Sequence, residues 1–281
     1  MTSQVILGVD LGGTLIRAGL VADKKPGIMR SQVIRSKAPQ EQVLEEIFSF
    51  IGGCITPATQ AIGMGVPGLV QPEKGIVSDV VNIPGWTTIP LRSIMEDHYS
   101  LPVAINNDSN CFALGEFYFG KGKGHDSMLG ITIGTGLGTG IIINHKLYSG
   151  KHGGAGELGM ADYLDKYYEY YASGQFFQNI YSEDGIDVYN KAQQGDAVAI
   201  RKYAEMGQHL GNALKTILYA YDISLVVLGG SVSQAFPFFQ AAMWKSLNDF
   251  AYKQALADLR IEVSQLENSG VLGAAALHFN Y

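Results

Sequence analysis

The sequence predicts an α/β protein built as two related lobes. The chain has 281 residues, 47% hydrophobic and 16% charged. That is enough to bury one large or two medium α/β cores, and too apolar for a disordered chain. Short apolar runs of strand length alternate with stretches of helical spacing. A unit of strand, glycine turn and strand occurs at residues 4–21 and again at 128–143, a weak internal repeat.

Gln4–Val9 reads as the first strand, ending in Asp10-Leu11-Gly12-Gly13-Thr14, and Leu15–Val21 as the second. The glycine pair therefore lies in a hairpin turn. Val43, Leu44, Ile47, Phe48 and Ile51 have helical spacing, and Gly52-Gly53 stops that helix. Ala61–Val66 is a short buried strand before Pro67-Gly68. Leu101–Ile105 is another, followed by Asn106-Asn107-Asp108 and a helix-like Ser109–Phe119. Met128–Ile133 and Gly140–Ile143 are strands joined by Gly134-Thr135-Gly136-Leu137-Gly138-Thr139. Tyr203, Met206, Leu210, Leu214, Ile217, Leu218 and Tyr221 line one face of a long helix, on which Gly207 and Gly211 permit close packing. Leu225–Leu228 is a strand entering Gly229-Gly230-Ser231. Residues 236–258 read as helix and Val271–Phe279 as a terminal helix. No Pro- or Ser-rich linker is visible, which places a compact hinge near 106–110. The expected lobes are 1–106, joined by the terminal helix 271–281, and 107–270.

The net charge of -6 and the pI near 5.5 argue against a broad basic surface for nucleic acid. A small anion such as a nucleotide remains compatible, because backbone N–H groups and Mg²⁺ bind it without a basic field. Cys54 and Cys111 form no CxxC pair and read as buried thiols of a reducing cytosol. The N-terminal residues lack the basic start of a signal peptide, and no apolar run approaches the ~20 residues of a membrane helix. A cytoplasmic protein with neither membrane nor nucleic-acid partner is expected.

Glycine is the unusual component, with 35 residues clustered at 12–13, 63–68, 134–140, 153–159 and 229–230. Asp10 sets a carboxylate at a strand end beside the first cluster. Glycine there lets backbone N–H groups approach phosphate oxygens, and the Thr14 hydroxyl adds a donor. Asp10 can hold Mg²⁺, directly or through water, although an ordinary Asp-Gly hairpin has the same pattern. Gly134 to Gly140 is a second candidate phosphate turn. It is no Walker A loop, and the G-x-G-x-x-G spacing fails at Thr139 with a strand, not a helix, behind it. Gly229-Gly230 follows a buried strand and precedes a helix, where a nucleotide can lie against backbone.

Asp108 follows a strand and opens a helix. It is either an N-cap or, in a chain with two glycine phosphate turns, a general base for a sugar hydroxyl. Glu157, in Gly156-Glu157-Leu158-Gly159, and Glu169 accept hydrogen bonds from paired hydroxyls when ionised. Asn82 can donate and accept with others. Each of these is by itself as compatible with a structural role.

Taken in order, these residues resemble the ROK family of bacterial sugar kinases and repressors, within the actin-like, hexokinase-type ATPase superfamily. The likeness spans almost the whole chain. Asp10-Leu11-Gly12-Gly13-Thr14 and Ile133–Gly140 look like the family's two phosphate motifs. Gly65-Val66-Pro67-Gly68 and Asn82-Ile83-Pro84-Gly85-Trp86 resemble its sugar-lobe motifs. Gly156-Glu157-Leu158-Gly159 and Glu169-Tyr170-Tyr171-Ala172-Ser173-Gly174 resemble its sugar-binding glutamate segments, and Asn107-Asp108 its catalytic pair. The resemblance implies a two-lobed actin-like ATPase (ribonuclease-H-like) fold with an interlobe cleft, and an ATP- and Mg²⁺-dependent, glucokinase-like sugar kinase. It implies nucleotide contacts from Asp10, Gly12, Gly13, Thr14, Gly134, Thr135, Gly136, Gly138, Gly229 and Gly230. Sugar contacts are implied from Gly68, Asn82, Asn107, Asp108, Glu157 and Glu169, with Asp108 as the base. A homodimer is implied as well.

The departures are specific. Met160 stands where the family usually has a His, which removes an expected sugar contact. The family's CxCGxxGC zinc segment is replaced by Ala161–Tyr168, without Cys or His, so no structural zinc is expected. Leu15 follows the Gly-Gly-Thr where Lys is common, and Arg17 is the nearest cation. The first strand starts at about Gln4, which leaves no room for the repressors' helix-turn-helix. A non-catalytic sugar sensor and a phosphotransferase for non-sugars, acetate-kinase-like, remain the alternatives.

Overall fold

The structure, a computed structural model, describes residues 4–80 and 83–279. It separates into two compact units. One holds the residues up to Asp126, Gly140–Ala155 and the chain from Gln265; the other holds Ser127–Thr139 and Gly156–Ser264. The expected boundary at 106/107 falls inside the first unit, one residue before the end of the strand Val103–Asn107.

In the first unit the chain runs β1 (Val5–Leu11), β2 (Leu15–Ala22), β3 (Lys25–Val33), α1 (Gln40–Gly52) and β4 (Ala61–Val66). It continues through β5 (Leu69–Gln71), β6 (Ile76–Ser78), β7 (Thr88–Ile89), α2 (Leu91–Tyr99), β8 (Val103–Asn107) and α3 (Asp108–Phe119). The main sheet has the order β3-β2-β1-β4-β8, and β5, β6 and β7 form a small sheet of their own. β2 pairs antiparallel with β1 and β3, whereas β1, β4 and β8 are mutually parallel. All residues of β4 are buried, as a central parallel strand requires. α1 buries Val43, Leu44, Ile47, Phe50 and Ile51. Phe48, assigned to that face from spacing, is half-buried against the same core and also stacks on His98 at a ring separation of 3.9 Å.

The second half begins with β9 (Met128–Ile133) and β10 (Leu137–Ile143), so the glycine turn is Gly134–Gly136 alone; Gly138 and Thr139 already belong to the strand. β11 (Lys146–Leu147), β12 (Asp162–Tyr163), β13 (Lys166–Tyr167), α4 (Tyr168–Ala172), α5 (Gln175–Tyr181) and α6 (Gly185–Gln193) follow. Then come α7 (Ala197–Tyr221), β14 (Leu225–Gly229), α8 (Phe236–Leu247), α9 (Lys253–Asp258), β15 (Arg260–Val263) and α10 (Ser269–Ala276). The second large sheet has the order β11-β10-β9-β14-β15, and the chain passes from one unit to the other within β10, at Gly140. β9 with β10 and parallel β14 repeats the arrangement of β1 with β2 and parallel β4.

Residues 236–258 are not one helix. α8 stops at Leu247, and the chain turns to bury Phe250 against Tyr219, ring centroids 4.4 Å apart, before α9. Burying an aromatic ring outweighs continuing an exposed helix. Gly207 and Gly211 do serve close packing: a Cβ on either would lie 2.5 Å from a carbonyl oxygen of α8, Phe239 O or Met243 O.

α10 is seated the same way in the first unit. A Cβ at Gly8 would lie 2.1 Å from Val271 O, at Gly63 1.8 Å from Ala274 O, and at Gly273 1.6 Å from Cys111 O. These glycines let the small-residue helix lie directly on β1, β4 and α3. The first turn of α10 thereby reaches Asp10: a Cβ on Gly270 would be 3.0 Å from its carboxyl.

Candidate active site

The register of the first sheet gathers the candidate residues of that unit. Asp10 lies beside Gly65 on β4, and Gly65 beside Asn106 on β8. The strands are parallel, so these residues share one carboxyl edge, where ligands of open α/β sheets bind. Gly65 keeps the edge open: a Cβ there would be 3.1 Å from Cys111 Sγ and 3.7 Å from Asp108 Cα.

Asp10 faces Arg17 across the β1–β2 pair, with its Oδ2 3.5 Å from Arg17 Nη1. Burial pushes its pKa above the ordinary carboxylate range and Arg17 opposes this. The positive end of α10 against its carboxyl also favours the ionised form. In the turn beyond it, Gly12 N–H donates to Leu15 O at 2.8 Å. Gly12 thus closes the turn, with Gly13 half-buried and Thr14 exposed at its tip.

The N-cap of α3 is Asn107, not Asp108. Asn107 Oδ1 accepts from Ser109 N–H at 2.8 Å, and its Nδ2 donates to Gly68 O at 3.0 Å. Asn107 therefore ties α3 to the Gly68 turn, where φ is +88°. Asp108 sits one residue further, in the first turn, and its Oδ1 also accepts from Ser109 N–H at 2.8 Å. The buried thiol of Cys111 lies near both carboxylates: burial, Asp10 and Asp108 together hold its pKa well above normal. Asn82 lies outside the described residues.

The second unit collects the other candidates around Gly134–Gly136. Gly134 N–H bonds to Gly136 O (3.0 Å), and Gly134 O accepts from Gly174 N–H (2.7 Å). Thr135 O accepts from Ser173 Oγ (2.9 Å) and Gln175 Nε2 (3.0 Å). Glu169 is built into the same turn. Its Oε2 accepts from Leu137 N–H at 2.8 Å and its Oε1 from Gln175 Nε2 at 3.2 Å.

Glu157 opens a 3₁₀ turn, Glu157–Met160, after Gly156 at φ +97°. Among the described residues none donates a hydrogen bond to its carboxylate. Burial raises its pKa, and the like charge of Glu169 raises it further. A raised carboxylate pKa favours folding below the unfolded value, and this stability is lost as pH rises through the folded one. At neutral pH an ionised Glu157 is therefore a cost to the empty protein. Glu157→Gln is expected to raise Tm slightly while weakening sugar binding by about 10–100-fold, as loss of a charged hydrogen-bond acceptor does. Thermal unfolding and sugar titration of the two proteins check this; a lower Tm would contradict the assigned cost.

A cavity of about 500 Å³ opens beside this turn, lined among others by Gly134, Thr135, Gln175, Tyr189, Ser231 and Val232. Gly229 and Gly230 are not on its wall. Gly230, at φ +82°, lets the chain cross β9, since a Cβ there would be 2.4 Å from Ile133 O, and it delivers Ser231 and Val232. Gln175 and Tyr189 carry no sequence signal; they reach the wall because α5 and α6 fold back on the glycine turn.

The match to the ROK family covers residues 6–280. The chain belongs to the ROK family. It is 33% identical over 261 residues to a glucokinase of Streptomyces coelicolor, covering 81% of this chain and 82% of that one. A ROK family glucokinase from Streptomyces griseus, solved with glucose and AMPPNP, superposes with a TM-score of 0.82 at 29% identity, over 97% of this chain and 98% of that one. A xylose repressor of Caldicellulosiruptor bescii is 26% identical over 97% of this chain and 77% of its own. The fold is thus the two-lobed actin-like ATPase fold expected from the motifs. Met160 is 54% exposed.

Proposed function

We propose that this ROK protein transfers the γ-phosphoryl group of ATP to a hydroxyl of a hexose, with glucose the first acceptor to test. The observation that carries this is the alignment of Asp10, Gly65 and Asn106-Asn107-Asp108 along one carboxyl edge of three parallel strands. The glucokinase relatives support the same reading.

In this reading Asp108 takes the proton of the attacking hydroxyl. Asn107 holds the Gly68 turn and the start of α3 in place for it. Gly13 and Thr14 in the first unit, and the backbone of Gly134, Thr135 and Gly136 in the second, are each suited to phosphate oxygens, and the cavity of about 500 Å³ in the second takes the adenosine, a volume ordinary for small-molecule sites. Glu157 and Glu169 hold sugar hydroxyls, the first through its whole carboxylate and the second through the lone pairs that Leu137 and Gln175 leave. Asp10 offers the hard oxygen donor Mg²⁺ prefers, reached through water, and the ion would neutralise charge on the transferred group. Catalysis is then chiefly positioning and electrostatics. A homodimer in the cytoplasm belongs to the same reading; among the described residues no helix is long and apolar enough to cross a membrane.

A coupled ADP-release assay over hexoses, N-acetylated hexosamines and carboxylic acids tests this, run beside a DNA mobility-shift assay. Sugar-dependent ADP release is expected. DNA retardation without turnover would replace the kinase reading by a repressor one, and turnover of a carboxylic acid alone would move it to a non-sugar phosphotransferase.

A further inference from the structure

The segment between the two glutamates cannot hold the family's zinc. Ala161–Tyr168 contains neither Cys nor His, and its carboxylates, Asp162 and Asp165, are not the donor set of a four-ligand structural site. It nevertheless forms an ordered β12–β13 hairpin, closed at its base by Tyr168 N–H to Ala161 O at 3.1 Å. What orders it is aromatic. The Tyr163 ring stacks on Tyr168 (4.4 Å, 18°) and meets Tyr171 (5.8 Å) and His209 (5.7 Å) edge-on.

Hydrogen bonds fix the cluster to α7. Asn212 Nδ2 donates to Tyr163 Oη at 2.9 Å, which leaves the hydroxyl hydrogen for His209 Nδ1, 3.1 Å away. Tyr168 Oη lies 2.8 Å from Thr216 Oγ1. His209, Asn212 and Thr216 follow helical spacing and share one face of α7. At the hairpin tip Tyr171 Oη bonds to Asp165. Burial raises the Tyr163 pKa and lowers that of His209, so both partners of the bond are neutral at pH 7.

We propose that this tyrosine–histidine cluster is a metal-free clasp that positions Glu157, making Tyr163 and His209 positioning residues for sugar binding. This rests on the sugar-kinase reading. Glu169 has anchors of its own in Leu137 and Gln175. Glu157 has no hydrogen-bond donor among the described residues, and its turn, Glu157–Met160, is tied to the base of the hairpin by Ala161 N–H to Leu158 O at 3.2 Å.

The test uses the full chain carrying Tyr163→Ala, Tyr163→Phe or His209→Asn, with two independent readouts. Amide hydrogen exchange across residues 157–168 reads the clasp itself. Tyr163→Ala removes three ring contacts and is expected to speed that exchange at least about tenfold. Steady-state kinetics then read its purpose. Sugar KM is expected to rise at least about tenfold in Tyr163→Ala with ATP KM within about twofold, and Tyr163→Phe, which keeps the stack, is expected to recover most of it. His209→Asn keeps an acceptor near Nδ1 and should fall between them. Treatment of the wild type with a chelator, followed by removal of the chelator and restoration of Mg²⁺ before assay, is expected to change neither readout.

Unchanged exchange in Tyr163→Ala would overturn the clasp, as would one zinc per chain whose removal speeds the exchange. Faster exchange with unchanged sugar KM would overturn the positioning role. If Tyr163→Ala does not fold, the same outcomes are read from His209→Asn, because Tyr163→Phe is expected to stay near the wild type. A wild type that turns over no sugar would instead defeat the kinase reading, and exchange would still decide the clasp.

Discussion

Asp108→Asn is expected to lower kcat at least ~10²-fold, the low end of what loss of a general base costs, while ATP and sugar still bind. The sequence left Asp108 either a cap or a base. The structure gives the cap to Asn107, whose Oδ1 accepts the Ser109 N–H. Asp108 Oδ1 accepts the same N–H at 2.8 Å, and an Asn carbonyl oxygen does so equally well. The fold should therefore survive, and circular dichroism with ligand-induced shifts in Tm will verify it. Asn cannot take the hydroxyl proton. A folded Asp108→Asn variant with near-normal kcat would remove Asp108 from the chemistry. Asn107→Ala serves as the contrast: loss of a cap costs ~0.5–2 kcal/mol of stability, which Asp108→Asn should not.

Gly136→Val is expected to weaken both ATP and sugar binding. From the sequence alone, the substitution should harm only the phosphate turn. In the structure a Cβ on Gly136 would lie 2.5 Å from Glu169 Oε2, the atom that accepts Leu137 N–H. A branched side chain must displace that carboxylate. A charge-assisted bond of this kind is worth about 1.5–3 kcal/mol, so each KM should rise about 10–100-fold. Gly136 is not among the positive-φ glycines, so valine meets no backbone prohibition and the variant should fold. A folded variant with raised ATP KM and normal sugar KM would show that Glu169 does not couple the two sites.

The motifs themselves were legible because their chemistry is local. A carboxylate at a strand end, a glycine turn and a strand-helix junction each occupy a few adjacent residues. The strands at 61–66 and 225–228 were legible for the same reason, each being an uninterrupted apolar run, and the two within 4–21 by the glycine turn between them. β3 was not. Its residues, Lys25–Val33, are almost all exposed and do not alternate, because an edge strand is held by backbone pairing to β2 and buries little of its own. The β12–β13 hairpin was read only as the absence of a metal segment. Its order comes from His209, Asn212 and Thr216, more than 40 residues away in sequence for each of its bonds.

By itself the sequence determined the α/β class, the repeated strand–turn–strand unit, the family, and which residue types stand where phosphate and hydroxyl chemistry needs them. Only the tertiary structure decided which member of each pair does what. Asn107 caps and Asp108 does not, because the β4–β8 register sets Asn107 against the Gly68 turn. Glu169 is anchored and Glu157 is not, because only Glu169 meets the N–H of Leu137 and the amide of Gln175. Both outcomes depend on hydrogen bonds between distant segments, and such partners exist only once the sheets have set their registers and the helices have packed.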